Sequence, residues 1–172
     1  PFDVDPPITI DADLADWAAI PNQITAKGRE HITYDTGQWH GPDDLGAVIH
    51  LAWRPGGIYV AVEVTDDSVH QTLTGRDMFK GDHVEVYVDL TPGAEPERTI
   101  FGAGQFQFGI SPGSLGEEVG GQVLRPELYV WRPTDAEQEG GKVAAKRTDD
   151  GYLVEAFMPF SRVKATGVRM HK

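Results

Sequence analysis

Between Val84 and Asp89 the side chains change character at every step: Val84, Val86 and Val88 fall at one parity, Glu85, Tyr87 and Asp89 at the other. A period of two marks a strand with one face buried and one in water, because successive Cβ atoms of an extended chain point to opposite sides. The pattern recurs in Ile58–Val64, where Ile58, Val60, Val62 and Val64 oppose Tyr59, Ala61 and Glu63, and in Gln105–Ile110, where Phe106 and Phe108 oppose Gln105 and Gln107. Further strands are read at Ala47–Trp53, at Leu124 with Leu128–Trp131, at Lys142–Arg147 and at Tyr152–Met158. Turn-forming clusters separate them: Pro6-Pro7, Pro55-Gly56-Gly57, Thr91-Pro92-Gly93, Ser111-Pro112-Gly113, Gly140-Gly141 and Asp149-Asp150-Gly151. The short link through Arg54–Gly57 makes Ala47–Trp53 and Ile58–Val64 an antiparallel hairpin. Only Asp13–Ala19 and Phe160–Lys164 read as short helical turns. Many short strands with almost no helix predict an all-β chain, an antiparallel β-sandwich of jelly-roll type.

At 172 residues the chain is expected to form a single domain over 1–172, large enough to bury a core without a staple. It contains no cysteine, which excludes disulfides, thiolate metal sites, cysteine nucleophiles and covalently attached haem. Fifteen Lys and Arg against 27 Asp and Glu leave a net charge of −12. Nucleic acids and anionic bilayers bind basic surfaces, so neither is an expected partner. No run approaches the ~18 apolar residues of a membrane-spanning helix, and no membrane insertion is expected. The start at Pro1, without an initiator Met, predicts a processed or trimmed product.

Few motifs point to chemistry. Asp11, Asp13 and Asp16 resemble calcium ligands, but an EF-hand loop counted from Asp11 would need Gly where Asp16 stands and Glu where Asn22 stands. Asp13 reads better as the N-cap of a turn that buries Leu14 and Trp17. Asp66-Asp67 follows an apolar strand and suits either a structural calcium or a strand-ending turn. The six histidines, His31, His40, His50, His70, His83 and His171, show no zinc-site spacing. There is no Gly-x-Ser-x-Gly elbow, and Gly102-Ala103-Gly104 lacks the lysine of a phosphate loop. Glu85, Asp89 and Glu155 sit in strands, yet nothing marks two of them as a glycosidase pair, and no catalytic residue is assigned.

Binding chemistry is better represented. If the strands through Glu85 and Gln105 pair, as sequence neighbours usually do, then Glu85, Tyr87, Gln105 and Gln107 form one polar patch. Carboxylate, amide and phenol groups on a sheet face suit a polyol, and equally suit the plain solvated face of a sandwich. Trp17, Trp53, Tyr59, Tyr152 and Phe157 lie in strongly patterned segments and are expected in the core or at its edge. Phe79 lies in the polar run Asp77–Asp82, and Trp39 and Trp131 lie near turns. Rings so placed either fold back over the end of the sandwich or stand exposed, where they can stack on the C–H face of a pyranose.

The run Phe79-Lys80-Gly81-Asp82-His83-Val84-Glu85-Val86-Tyr87-Val88-Asp89 resembles the central motif of carbohydrate-binding module family 9 and its DOMON-like relatives: aromatic, two residues, Asp, any, Val, Glu, apolar, aromatic, apolar, Asp. Ile10-Asp11-Ala12 with Asp16-Trp17 is similar to the family's opening Ile-Asp-Gly and Asp-x-Trp. Leu51-Ala52-Trp53 through Tyr59–Asp67 is similar to its hairpin, and Gly151–Ser161 to its late strand. The four matches come in order and span Ile8 to about Lys164. The resemblance implies a β-sandwich that binds sugars without cleaving them, secreted, periplasmic or at the cell surface, beside neighbouring domains of a polysaccharide-processing protein. It implies Phe79 as one clamp aromatic, Glu85 as the hydroxyl-binding carboxylate and Gln107 as the polar group of the next strand. The family carries Trp at the position of Phe79 and continues past Lys172 to a second clamp aromatic. Here that aromatic is expected from Trp131, from Trp39 or from residues beyond Lys172. No cofactor is required; structural calcium occurs in the family.

Two alternatives use the same sandwich. One is a structural or interaction module of an exported protein. The other is a b-type cytochrome, for which Met78, His83, Met170 and His171 supply ligand types and Met78 is the suggestive one, a gap-filling Met being commoner.

Overall fold

The structure, a computed structural model, describes residues 2–21, 23–90, 97 and 99–163. The turn expected at Thr91-Pro92-Gly93, Lys164, Met170 and His171 lie outside the described residues. Among those described there are eleven strands: β1 (Phe2–Asp3), β2 (Gln23–Ala26), β3 (Leu45–Arg54), β4 (Gly57–Asp66), β5 (Val84–Asp89), β6 (Gln105–Ser111), β7 (Glu118–Val119), β8 (Gln122–Val123), β9 (Glu127–Arg132), β10 (Lys142–Thr148) and β11 (Gly151–Pro159). One sheet runs β1-β3-β4-β11-β10, with β2 also on β3; a second runs β5-β6-β9; β7 and β8 form a small ribbon. Pairing is antiparallel except that β1 joins β3 in parallel. This is the all-β sandwich that the alternation predicts.

The inward rows build the core. Val60, Val62 and Val64 of β4 and Tyr152, Val154, Ala156 and Met158 of β11 pack against Phe106, Phe108, Ile110, Leu128 and Val130 of the smaller sheet. Each such side chain, when fully buried, contributes roughly 1.5–3 kcal/mol. The opposite parity of β3 and β4 is buried too: Ala52, Tyr59 and Ala61 pack beneath Ile8 and Trp17. The N-terminal segment is therefore a strap across the outer face of the larger sheet. The outer face of β5-β6-β9 carries Glu85 and Tyr87 into solvent.

Helical structure among the described residues is limited to 3-10 turns at Ala15–Trp17, Arg29–His31, Gly75–Lys80 and Phe160–Val163. Two were not foreseen: Arg29–His31 and Gly75–Lys80 are polar runs in which no apolar period announces a helix. Phe79 accordingly sits in a 3-10 turn, not an irregular loop, and Trp131 lies next to last in β9, just before the turn at Pro133-Thr134, as expected. Asp13 is not an N-cap. Its Oδ1 accepts the N–H of Ala15 at 2.8 Å, closing a turn one step ahead of the helical residues, whose cap is Leu14. Asp66 Oδ1 accepts the N–H of Ser68 at 2.8 Å, the strand-ending turn weighed above.

Candidate functional site

Backbone register brings the polar row of the smaller sheet together. Tyr87 lies opposite Gln107, Asp89 opposite Gln105, and Glu85 opposite Gly109. Gln107 Nε2 donates to Glu85 Oε1 at 2.5 Å and reaches Tyr87 Oη at 3.4 Å. One amide thus bridges a carboxylate and a phenol. Desolvation on the sheet face, with Glu85 beside it, pushes the Tyr87 phenol above its ordinary value.

The wall of the site comes from β9, where Tyr129 and Trp131 alternate with the inward Leu128 and Val130 and an irregularity adds Arg132. Phe108 pairs with Val130 but Gln107 pairs with Arg132, so Trp131 is an extra residue in the ladder. Such a bulge puts two successive side chains on one face; here Trp131 and Arg132 both border the site. The Trp131 ring lies over Gly109, where a Cβ would stand 2.4 Å from its Cη2. Glycine inside a strand often marks such a close approach. The indole Nε1 donates to Arg76 O at 3.0 Å, and Tyr129 packs on the ring at 5.7 Å between centroids.

Phe79 stands across from Trp131, with ring centroids 6.5 Å apart and planes at 75°. Its 3-10 turn is held from below and from the side. Met78 is fully buried, Gly75 N donates to Glu127 Oε1 at 2.7 Å, and the buried Gln71 amide donates to Met78 O at 3.0 Å and Asp82 O at 2.8 Å. Phe79 is nonetheless 51% exposed.

Between these groups lies a cleft of about 480 Å³, lined by Arg76, Phe79, His83, Glu85, Tyr87, Gln107, Tyr129, Val130, Trp131, Arg132 and Thr134. That volume is within the usual range for small-molecule sites. Five sequence candidates meet there: Phe79, Glu85, Tyr87, Gln107 and Trp131. Gln105 lies one rung farther along and donates to Asp89 Oδ2 at 3.0 Å. Trp39 takes no part; its indole donates to Leu45 O at 3.0 Å in the approach to β3. Arg76, His83, Tyr129, Arg132 and Thr134 were not anticipated. For Tyr129 a signal existed, because it alternates with Leu128 and Val130.

Glu85 is the only carboxylate among the described residues that line the cleft, so two-carboxylate hydrolysis finds no second acid there. Among the described residues no three His, Asp or Glu side chains come together as a group that could hold a metal ion. The Met78 sulfur is fully buried beside Gly109, where a Cβ would stand 3.0 Å from it, as a gap-filling methionine would.

The carbohydrate family 9 binding domain-like model matches residues 24–170. The chain belongs to that family. A solved family 9 module, a carbohydrate binding module from Caldicellulosiruptor kristjanssonii in complex with glucose, shares the fold at TM-score 0.54 and 18% identity, covering 93% of this chain and 68% of that one. No curated protein sequence matches it. In this family 9 domain the opening segment precedes the matched residues, and its part is structural. Glu155, fully buried on the outer side of β11, accepts the N–H groups of Asp11 and Ala12, both at 2.9 Å, and Trp17 Nε1 at 2.7 Å. Ile10-Asp11-Ala12 and Asp16-Trp17 therefore latch the strap, on the sheet away from the cleft. Burial raises the Glu155 carboxyl above its ordinary value against the pull of those three donors.

Proposed function

We propose that this domain is a non-catalytic saccharide-binding module whose ligand occupies the cleft over β5, β6 and β9. The observation that carries this is the pair of rings, Phe79 and Trp131, 6.5 Å apart at 75° above the hydrogen-bonded Glu85–Gln107–Tyr87 floor. A pyranose has apolar C–H faces and a rim of hydroxyls. Trp131, locked by Gly109 and Arg76 O, offers the broad face, and Phe79 closes the edge. Glu85 accepts from sugar hydroxyls, Tyr87 donates, and Arg76 and Arg132 add donors at the rim. Phe79 and the neutral Gln107 offer less area and less charge than Trp and Arg would, and a cleft open to water keeps affinity modest. The glucose complex of the family relative supports a hexose as first probe.

Family membership supports the setting we propose: an exported polysaccharide-processing system, with this domain beside others. Among the described residues no helix is long and apolar enough to cross a membrane.

Calorimetric titration with mono- and oligosaccharides tests the reading, using wild type, Phe79→Ala and Glu85→Ala. Binding that both substitutions weaken at least tenfold, with circular dichroism unchanged, is the expected result. No heat with any saccharide, or binding indifferent to both substitutions, refutes it and favours the interaction module.

A further inference from the structure

β9 lies at the edge of its sheet and pairs with a strand on one side only, β6. The other side of an edge strand presents bare N–H and C=O groups. At Val130 they are not bare. Gln138 Oε1 accepts the N–H of Val130 at 2.9 Å, and Gln138 Nε2 donates to Val130 O at 3.0 Å and to Ala136 O at 3.2 Å. A primary amide carries a donor and an acceptor side by side, so one side chain makes both bonds that a neighbouring strand would make to this residue.

The amide is itself held. Gln138 lies in the link between β9 and β10, 133–141. Arg162, only 1% exposed, donates from Nε to Glu137 O at 2.8 Å and from Nη2 to Leu128 O and Gln138 Oε1, both at 3.4 Å. Glu137 N donates back to Arg162 O at 3.0 Å. A buried guanidinium is costly to strip of its acceptors, so Arg162 ties the link firmly to the outer edge of β9.

The contact falls where β9 most needs it. The β6–β9 register is regular from Glu127 to Val130 and shifts before Arg132, so the ladder breaks directly after Val130. The extra residue of a bulge is left unpaired by the facing strand. Here that residue is Trp131, and it and Arg132 both line the cleft. Where β6 holds β9 least, Gln138 holds it from the other side.

We propose that Gln138 is a positioning residue for the cleft: it sets the course of β9 into the bulge, and with it the seat of the Trp131 ring, while Arg162 anchors it. Neither residue lines the cleft, so both act through β9. The effect on affinity rests on the saccharide reading; the effect on Trp131 does not.

Gln138→Met in the whole domain tests this, because methionine keeps the length of the side chain and removes both bonds to Val130. Three measurements are made: exchange of the Val130 amide, the Trp131 indole signal in a proton–nitrogen correlation spectrum, and calorimetric titration with glucose, galactose, xylose and cellobiose. Exchange at Val130 should quicken at least tenfold, the Trp131 signal should shift while Trp17, Trp39 and Trp53 stay, and affinity for the tightest probe should fall about three- to tenfold, the order of one net hydrogen bond. Glu155→Gln, which loosens the strap on the far sheet, should leave the Trp131 signal and the affinity in place, and so separates positioning from a general loss of stability. Should Gln138→Met not fold, Gln138→Glu keeps the bond from Val130 N–H, loses the one to Val130 O and should show the same changes in part. An unmoved Trp131 signal with wild-type affinity in the folded variant overturns the proposal and leaves Gln138 as a cover for a strand edge. Unchanged exchange at Val130 overturns it as well. Absence of binding by wild type to every probe overturns the saccharide reading instead, and the Trp131 signal alone then decides the positioning.

Discussion

Gly109→Ala adds one methyl beneath the Trp131 ring. The new Cβ would lie 2.4 Å from Trp131 Cη2, 2.6 Å from Cζ3 and 3.0 Å from Met78 Sδ. Carbon atoms in contact prefer about 3.5–4.0 Å, so the ring must retreat by at least about 1 Å. Met78 is fully buried against the same position and cannot give way, so the ring itself must move, toward the cleft it lines. That movement strains the Trp131 Nε1 bond to Arg76 O, now 3.0 Å, and narrows the space beside Phe79. Overpacking costs about 1–3 kcal/mol and the weakened hydrogen bond about 0.5–1.5 kcal/mol, while removing a glycine from the unfolded chain returns about 0.4–1 kcal/mol. The net expectation is a loss of about 1–3 kcal/mol in urea unfolding, with saccharide affinity weakened about tenfold or more by calorimetry. Adding Trp131→Ala relieves the clash, so the double variant loses less stability than the two single losses combined. Wild-type stability and affinity in Gly109→Ala would refute the seating of Trp131 on Gly109.

Glu155→Gln must turn an amide N–H₂ toward either the Trp17 indole or the backbone donors of Asp11 and Ala12. At least one charge-assisted bond is lost, and urea unfolding should show a loss of about 1.5–3 kcal/mol with saccharide binding in the folded protein unchanged. The carboxyl titrates above its ordinary value in the fold, chiefly because it is buried. The folded state therefore keeps this proton over a range where the unfolded chain has released it. Its contribution to stability is complete below the unfolded value and is lost as pH rises through the folded one, a slope that Glu155→Gln removes. Tyr87 ionises above the ordinary phenol value from desolvation and from Glu85. Ultraviolet difference titration of Glu85→Gln should show a tyrosine moving back toward that value; an unchanged titration counts against the Glu85–Gln107–Tyr87 cluster.

Much of this was legible in the sequence because a strand's period of two is a property of the backbone. Val84–Asp89 and Gln105–Ile110 each declare which side chains share a face, and pairing of neighbouring strands does the rest. Periodicity carries no register, however. Glu85 meets Gln107 only because Tyr87 lies opposite that residue, and Arg132 joins the face through one extra residue in β9. The bulge leaves no periodic mark, while Gly109, a glycine inside an otherwise apolar and amide-bearing strand, marks the seat of the Trp131 ring. The 3-10 turn under Phe79 was hidden for another reason. Gly75–Lys80 takes its shape from distant partners, Glu127 and Gln71, and not from its own propensities. Glu155 read as one acid among 27. Its role depends on a strap that crosses the far sheet, which local pattern cannot report.

The most direct test of the saccharide cleft needs no substitution at the site. The four tryptophans give four indole N–H signals in a proton–nitrogen correlation spectrum, one from each of Trp17, Trp39, Trp53 and Trp131. Titration with the tightest-binding saccharide should shift the Trp131 indole and the Gln107 side-chain amide, leaving Trp17, Trp39 and Trp53 in place. Shifts confined to Trp39 or to the strap around Trp17, with Trp131 unmoved, would contradict the account.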